Sequence, residues 1–181
     1  MISTVTSGDI YQWTDGDGDG SLWLSDSDVS SFSDFSGQVL WWAALSGASF
    51  HHSNLQGTNL MYAQLVGTNF GISNLGFTNL HGADLTSANL AFVNLSGADL
   101  SNVIVTDANL FLADLTNANL EDMVGWDDAF WMAASYNSET VLPAGMDPDT
   151  FGMIEVPAPP AIIFMAIGCL GLCKRRSIST R

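Results

Sequence analysis

From residue 35 to residue 120 a large apolar side chain recurs at every fifth position. These eighteen positions hold fourteen Leu, three Phe (Phe35, Phe50 and Phe70) and one Val (Val105), without exception. Two residues earlier the side chain is Ala, Ser or Thr in fifteen of the eighteen units, with Gln38, Val93 and Val103 departing. One residue earlier, Asn or Asp stands in thirteen. A period of five fits neither the helical period of 3.6 nor the alternation of a strand, so an amphipathic helix and an ordinary half-buried strand are both rejected. The chain must turn once per unit. Asn and Asp side chains bond readily to nearby backbone in turns, and Gly at 37, 47, 57, 67, 82 and 97 relieves the corners.

The stretch Ala83-Asp84-Leu85-Thr86-Ser87-Ala88-Asn89-Leu90 resembles the A(D/N)LXX signature of the pentapeptide-repeat family, and the resemblance covers about half the chain. It implies an all-β fold, a right-handed quadrilateral β-helix in which four units make one coil and the large and small positions both point inward. Columns of twenty residues agree with such stacking, because Phe50 falls over Phe70, Leu90, Leu110 and Phe130, and Ala43 over Ala63 and Ala83. At the ordinary strand spacing of about 4.8 Å, four to five coils make a rod roughly 20 Å tall. Each buried Leu or Phe contributes roughly 1.5–3 kcal/mol before the entropy of ordering is charged against it, enough in sum for a core. The predicted organisation is an irregular N-terminal segment (1–32), the β-helix (33–130), a cap and linker (131–155) and a C-terminal segment with a short hydrophobic helix (156–181).

The outward columns are unequal. His52, Ile72, Phe92, Leu112 and Met132 fall in one line, with Phe111 and Trp131 beside it, and Met61 and Tyr62 fall over Trp41 and Trp42. Monomers rarely leave such strips bare. The expected covers are the chain's own flanks, residues 10–32 over the tryptophans and residues 131–155 over the other strip, with a homodimer or a surface partner as the alternative.

Charge narrows the partners. Nineteen acidic residues face four basic ones, and Lys174, Arg175, Arg176 and Arg181 all follow the last apolar run, so residues 1–173 contain no Lys or Arg. Such a surface repels phosphates and excludes direct nucleic-acid binding. Asp15, Asp17, Asp19 and Asp26 occupy positions 1, 3, 5 and 12 of a loop with Gly20 at the sixth and Leu22 at the eighth, the spacing of an EF-hand-like calcium loop. Calcium is the one cofactor candidate; Asp/Gly strings also form plain solvated turns.

The C-terminal end runs from Val156-Pro157-Ala158-Pro159-Pro160 through the apolar stretch 161–173 to Lys174-Arg175-Arg176. As a helix those thirteen residues would span about 20 Å against a bilayer core of roughly 30 Å. The order of a Pro-rich motif, a short apolar helix and a basic end resembles the PEP-CTERM sorting tail of exported bacterial proteins, with Pro157-Ala158-Pro159 in place of Pro-Glu-Pro. That resemblance implies an exosortase-type partner, export, inner-membrane anchoring and delivery to the cell surface. Met1 to Ile10 shows neither a basic start nor an apolar stretch, so the expectation is that a signal lies upstream or that the chain stays inside the cell.

Catalysis is not expected. The body offers three His (His51, His52 and His81) and three Glu, in no spacing that a nucleophile, base or metal centre requires. The reading favoured is therefore a non-enzymatic exported or cell-surface structural and interaction protein. The alternative is an acidic DNA mimic that binds a topoisomerase, a role the resemblance suggests. Only seven acids fall within residues 33–125, too few for a ladder of phosphate-like charge.

Overall fold

The computed structural model describes Leu22–Trp23 and residues 33–157. Every unit of five is built alike. The carbonyl of the large residue accepts the N–H three residues on, as from Ala43 to Leu40 (3.2 Å), Thr58 to Leu55 (3.0 Å) and Ala113 to Leu110 (3.0 Å), closing a β-turn in all eighteen units. The third residue of each turn has φ between +55° and +77°. Six of these are the glycines at the predicted corners. The other twelve hold a side chain in a conformation that costs an L-residue roughly 1–2 kcal/mol.

Between turns the chain is extended just long enough for one parallel bridge to the residue twenty positions on, as in Asn54↔Asn74, Asn74↔Asn94 and Asp84↔Ile104. Four units thus make one coil. Two strand pairs are longer than a single bridge: β1 (Leu22–Trp23) lies parallel to β2 (Ala43–Ala44), and β3 (Ser135–Tyr136) parallel to β4 (Ile154–Glu155). No helix occurs among the described residues; the expected C-terminal helix lies outside them.

Inside, the large and small columns are buried as the five-residue period requires. Phe50 and Phe70 stack at 5.1 Å in one column, and Phe35, in the column of Leu55, meets Phe50 edge-on at 5.4 Å. Where the small residue is Thr, its hydroxyl donates to a carbonyl of the coil below: Thr58 to Phe35 (2.8 Å), Thr68 to Leu45 (3.0 Å) and Thr78 to Leu55 (2.9 Å). Among the described residues no buried side-chain nitrogen or oxygen lacks a partner.

The Asn or Asp before each large residue does two jobs. Its Oδ1 accepts the N–H two residues on, as from Gly71 to Asn69 (3.0 Å) and Ser96 to Asn94 (2.9 Å), which fixes the corner. Its Nδ2, where it has one, donates to the coil below, as from Asn74 to Asn54 (3.2 Å) and Asn89 to Asn69 (2.9 Å). One ladder ends on Asp34, which accepts the Ser36 N–H (3.0 Å) and Asn54 Nδ2 (3.1 Å). The backbone N–H of Ser36 is the main cause that lowers its carboxyl below the usual 3.8. A folded-state pKa below the unfolded one gives stability that is complete above 3.8 and is lost as pH falls toward the lowered value. Asp34→Asn keeps the acceptor and removes the charge. Its thermal unfolding curve should therefore depend less on pH below 3.8 than that of the parent, and equal dependence would refute this.

The coil does not stop at residue 130. Up to Ile104↔Val124 the bridges are twenty residues apart; then come Asn109↔Phe130, Asp114↔Ser135 and Asn119↔Val141. One residue has been inserted at the corner 125–129 and another before Val141. The ladder continues to Val156, whose N–H donates to Tyr136 (2.8 Å). Met146 and Met153 are buried at this end, with Tyr136, Leu142 and Phe151 packed against the core. Residues 131–155 thus extend the coil instead of lying over an outer strip.

Candidate interaction surface

Since inward positions are uniform, differences between the four corners carry what distinguishes this molecule. One corner runs through residues 51–52, 71–72, 91–92, 111–112 and 132–133. Ile72 (48 % exposed), Phe92 (52 %), Leu112 (41 %) and Met132 (48 %) project from it into solvent. Phe111 is half-buried between Phe92, edge-on at 5.5 Å, and Phe130, stacked at 6.1 Å. Ile72, Phe92 and Leu112 stand at φ of +58°, +59° and +55°. Six of the eighteen units use Gly at this turn position, and a β-branched residue such as Ile72 there is a true outlier.

The inserted residue re-sorts the end of this strip. Trp131, expected outside, is 1 % exposed and takes the place above Leu110, its Nε1 donating to the Trp126 carbonyl at 2.7 Å. Phe130, expected in the core column, is 52 % exposed at the bridge position over Asn109. Met132 accordingly sits over Phe111, and Ala133 takes the positive-φ place over Leu112. The signal was present in sequence: Ala129-Phe130-Trp131 keeps the small, middle, large order, whereas Asp128 two residues before Phe130 breaks it.

A second corner begins aromatic and ends acidic. Trp41 and Trp42 are exposed, Trp42 stacks on Tyr62 at 4.7 Å, and the Tyr62 ring lies on Gly82, where any Cβ would strike it. Higher on the same corner, His81 Nδ1 meets Ser101 Oγ at 2.8 Å, and the turn of the next coil is Glu121-Asp122. The remaining pair, His51 and His52, is an edge-on contact at 4.3 Å at the start of the apolar strip.

Charge surrounds the far end of the apolar strip on both sides. Asp107, Asp127 and Asp128 are exposed on the corner that precedes it, and Asp114 is half-buried on the face that follows. Two coils beyond Asp114 in that column stands Ile154, with Glu155 paired to Tyr136. Burial first, then the nearby Glu155, Asp149 and Asp147 carboxylates, push the Tyr136 phenol above 10.0. No Lys or Arg offsets these charges among the described residues.

The other sequence-predicted residues are not brought together here. Asp15, Asp17, Asp19 and Asp26 lie outside the described residues, as do Ala158, Pro159, Lys174, Arg175 and Arg176. Val156 is held on the last rung and Pro157 is exposed. Among the described residues no three His, Cys, Asp or Glu are grouped to hold a metal, and no helix is long and apolar enough to cross a membrane.

The periodic turns, the parallel ladder and the paired inward columns have a counterpart among known families. The family model for Pentapeptide repeats matches residues 33–71 and 63–102. Residues 33–102 are pentapeptide repeats. Among solved structures, a pentapeptide repeat protein from Nostoc Pcc 7120 is 29% identical, over 60% of this chain and 84% of its own, with a TM-score of 0.32. A pentapeptide repeat protein from the Arabidopsis thaliana thylakoid lumen is 26% identical, over 72% and 79%, with a TM-score of 0.30. QnrB1, a plasmid-mediated fluoroquinolone resistance protein, is 17% identical, over 70% and 80%, with a TM-score of 0.27. No curated protein matches the chain. The matched repeats account for the interior over residues 33–102, and Ile72 and Phe92 of the apolar strip stand on their outer corners.

Proposed function

We propose that this chain is a non-enzymatic interaction protein, exported to the cell surface, in which the repeat rod is the rigid support and the apolar strip is the docking surface. The observation that carries the docking role is the placement of Ile72, Phe92 and Leu112 at positive-φ corners. Gly is free of strain there, so a large apolar side chain at three successive coils costs stability without filling the core. A strip kept at such a cost and left exposed is better suited to contact than to packing.

Export is supported by the order of residues at the C-terminal end, where Val156-Pro157-Ala158-Pro159 precedes the apolar run and Lys174-Arg175-Arg176 closes it. An exosortase-type enzyme is the sorting partner this implies, and calcium at Asp15, Asp17, Asp19 and Asp26 would suit the same environment. The alternative of a DNA mimic is weaker, because a mimic needs regularly spaced charge and the repeat corners at 37, 47, 57, 67, 82 and 97 are Gly. A reporter fused to residues 154–181 should fractionate with the membrane or the cell surface. A reporter that stays soluble in the cytoplasm would end the export reading.

A further inference from the structure

The apolar strip has a defined spacing and a defined charge around it, and together these specify an occupant. Its side chains repeat once per coil, at about the 4.8 Å separation of neighbouring strands. An extended segment presents side chains to one face only every second residue, about 6.6 Å apart, and so drifts by about 1.8 Å at each coil, more than a whole rung over three. An α-helix presents them about every 5.4 Å, and over the rungs from Ile72 to Met132 it drifts by only about 2 Å. A helix laid along the strip could therefore seat apolar residues at i, i+3 or i+4, and i+7 between successive rungs.

Charge chooses the sign of the rest of that helix. Asp107, Asp127 and Asp128 border one side of the strip's far end and Asp114 the other, with Phe111, Phe130 and Met132 between them. Residues 1–173 of a second copy contain no Lys or Arg, so two strips placed face to face would bring these carboxylates against their own equivalents. A membrane surface rich in anionic lipid is opposed for the same reason.

We infer that the strip is a groove-free docking track for an amphipathic α-helix of a partner protein, with apolar residues on one face and Lys or Arg on both flanks. The inference rests on the reading of the strip as a docking surface and adds the shape and charge of its ligand. Apolar contact along Ile72, Phe92 and Leu112 supplies most of the affinity, and the carboxylates at the far end fix direction and speed of encounter.

The test uses the full chain and a labelled synthetic helix with Leu at i, i+3, i+4 and i+7 and Lys elsewhere, read by fluorescence anisotropy. The parent should bind it, and Phe92→Ser with Leu112→Ser should weaken binding about tenfold or more. Asp107→Asn, Asp127→Asn and Asp128→Asn together should weaken it several-fold and flatten its salt dependence, while Glu121→Gln with Asp122→Asn, on the other corner, should leave it unchanged. A helix with Glu in place of every Lys should fail to bind. If the Glu helix binds as well and Phe92→Ser still abolishes it, the charge inference is overturned and the docking strip stands. If the serine variants bind like the parent, or the parent binds neither helix, both are overturned. Circular dichroism of each variant shows whether a loss reflects unfolding, and Phe92→Leu, which keeps the apolar surface, should restore binding.

Discussion

Phe70→Ala should lower the stability of the coil by about 3–5 kcal/mol, measured by chemical denaturation of the full chain. Phe70 has no exposed surface and stacks on Phe50, with Leu90 on its other side in the column, so its removal opens a cavity in the middle of the buried core. The walls cannot collapse to fill it. Asn69 and the residues of neighbouring coils are held by ladder bonds, including Phe70 N–H to Asn89 (2.8 Å) and Asn69 N–H to Ala48 (2.9 Å), that fix the coil spacing. Ile72, two residues away, is the internal control. Ile72→Gly removes an outward side chain and a strained φ of +58° together, so it should be neutral or stabilising by up to about 1 kcal/mol. A Phe70→Ala variant that unfolds with the parent, or an Ile72→Gly variant that loses as much as Phe70→Ala, would contradict the division into an inner column and an outer corner.

That division was legible in sequence because it is periodic. A large residue at every fifth position and a small one two earlier leave little choice about which side chains face in, and Asn or Asp between them identifies the side chain that ties down the corner. The glycines at 37, 47, 57, 67, 82 and 97 were identified as corner residues for the same reason, and each has positive φ. What the period could not show is that twelve further units adopt the same backbone without Gly. Trp42, Ile72, Phe77 and Phe92 are unlikely left-handed residues by local propensity; the ladder on either side over-determines the turn and forces them there.

The surface was readable only in part. Ile72, Phe92 and Leu112 fall in line because the coils between them each hold twenty residues. The flanks expected to cover the strips follow no such rule. Residues 131–155 still carry inward pairs such as Ala134 with Tyr136, but spread by insertions, and so they build further coil where a lid was expected. The pair Leu22–Trp23 likewise stacks on Ala43–Ala44 as a rung.

The inserted residue leads to the second large effect, at the far end of the rod. Trp131→Ala should cost about 3–5 kcal/mol, whereas Phe130→Ala should cost less than about 1 kcal/mol, the reverse of what an unbroken five-residue period implies. Trp131 is buried, and its Nε1 holds the Trp126 carbonyl across the enlarged corner at 2.7 Å. Its loss removes a core side chain and orphans that carbonyl. Phe130 is exposed and stacks only partly on Phe111. Because a solenoid is stabilised rung by rung, the Trp131 defect should first release the last coils, residues 131–156, and leave Phe50 to Leu110 in place. Hydrogen exchange can follow this directly. The amides of Ser135, Val141 and Ile154 should lose protection in Trp131→Ala while those of Leu75 and Leu95 keep it. Equal loss along the whole rod would show that the terminal coils do not unfold as a separate unit. Unchanged protection in Trp131→Ala, with a large loss in Phe130→Ala, would put the register back by one residue and remove Phe130 from the apolar strip.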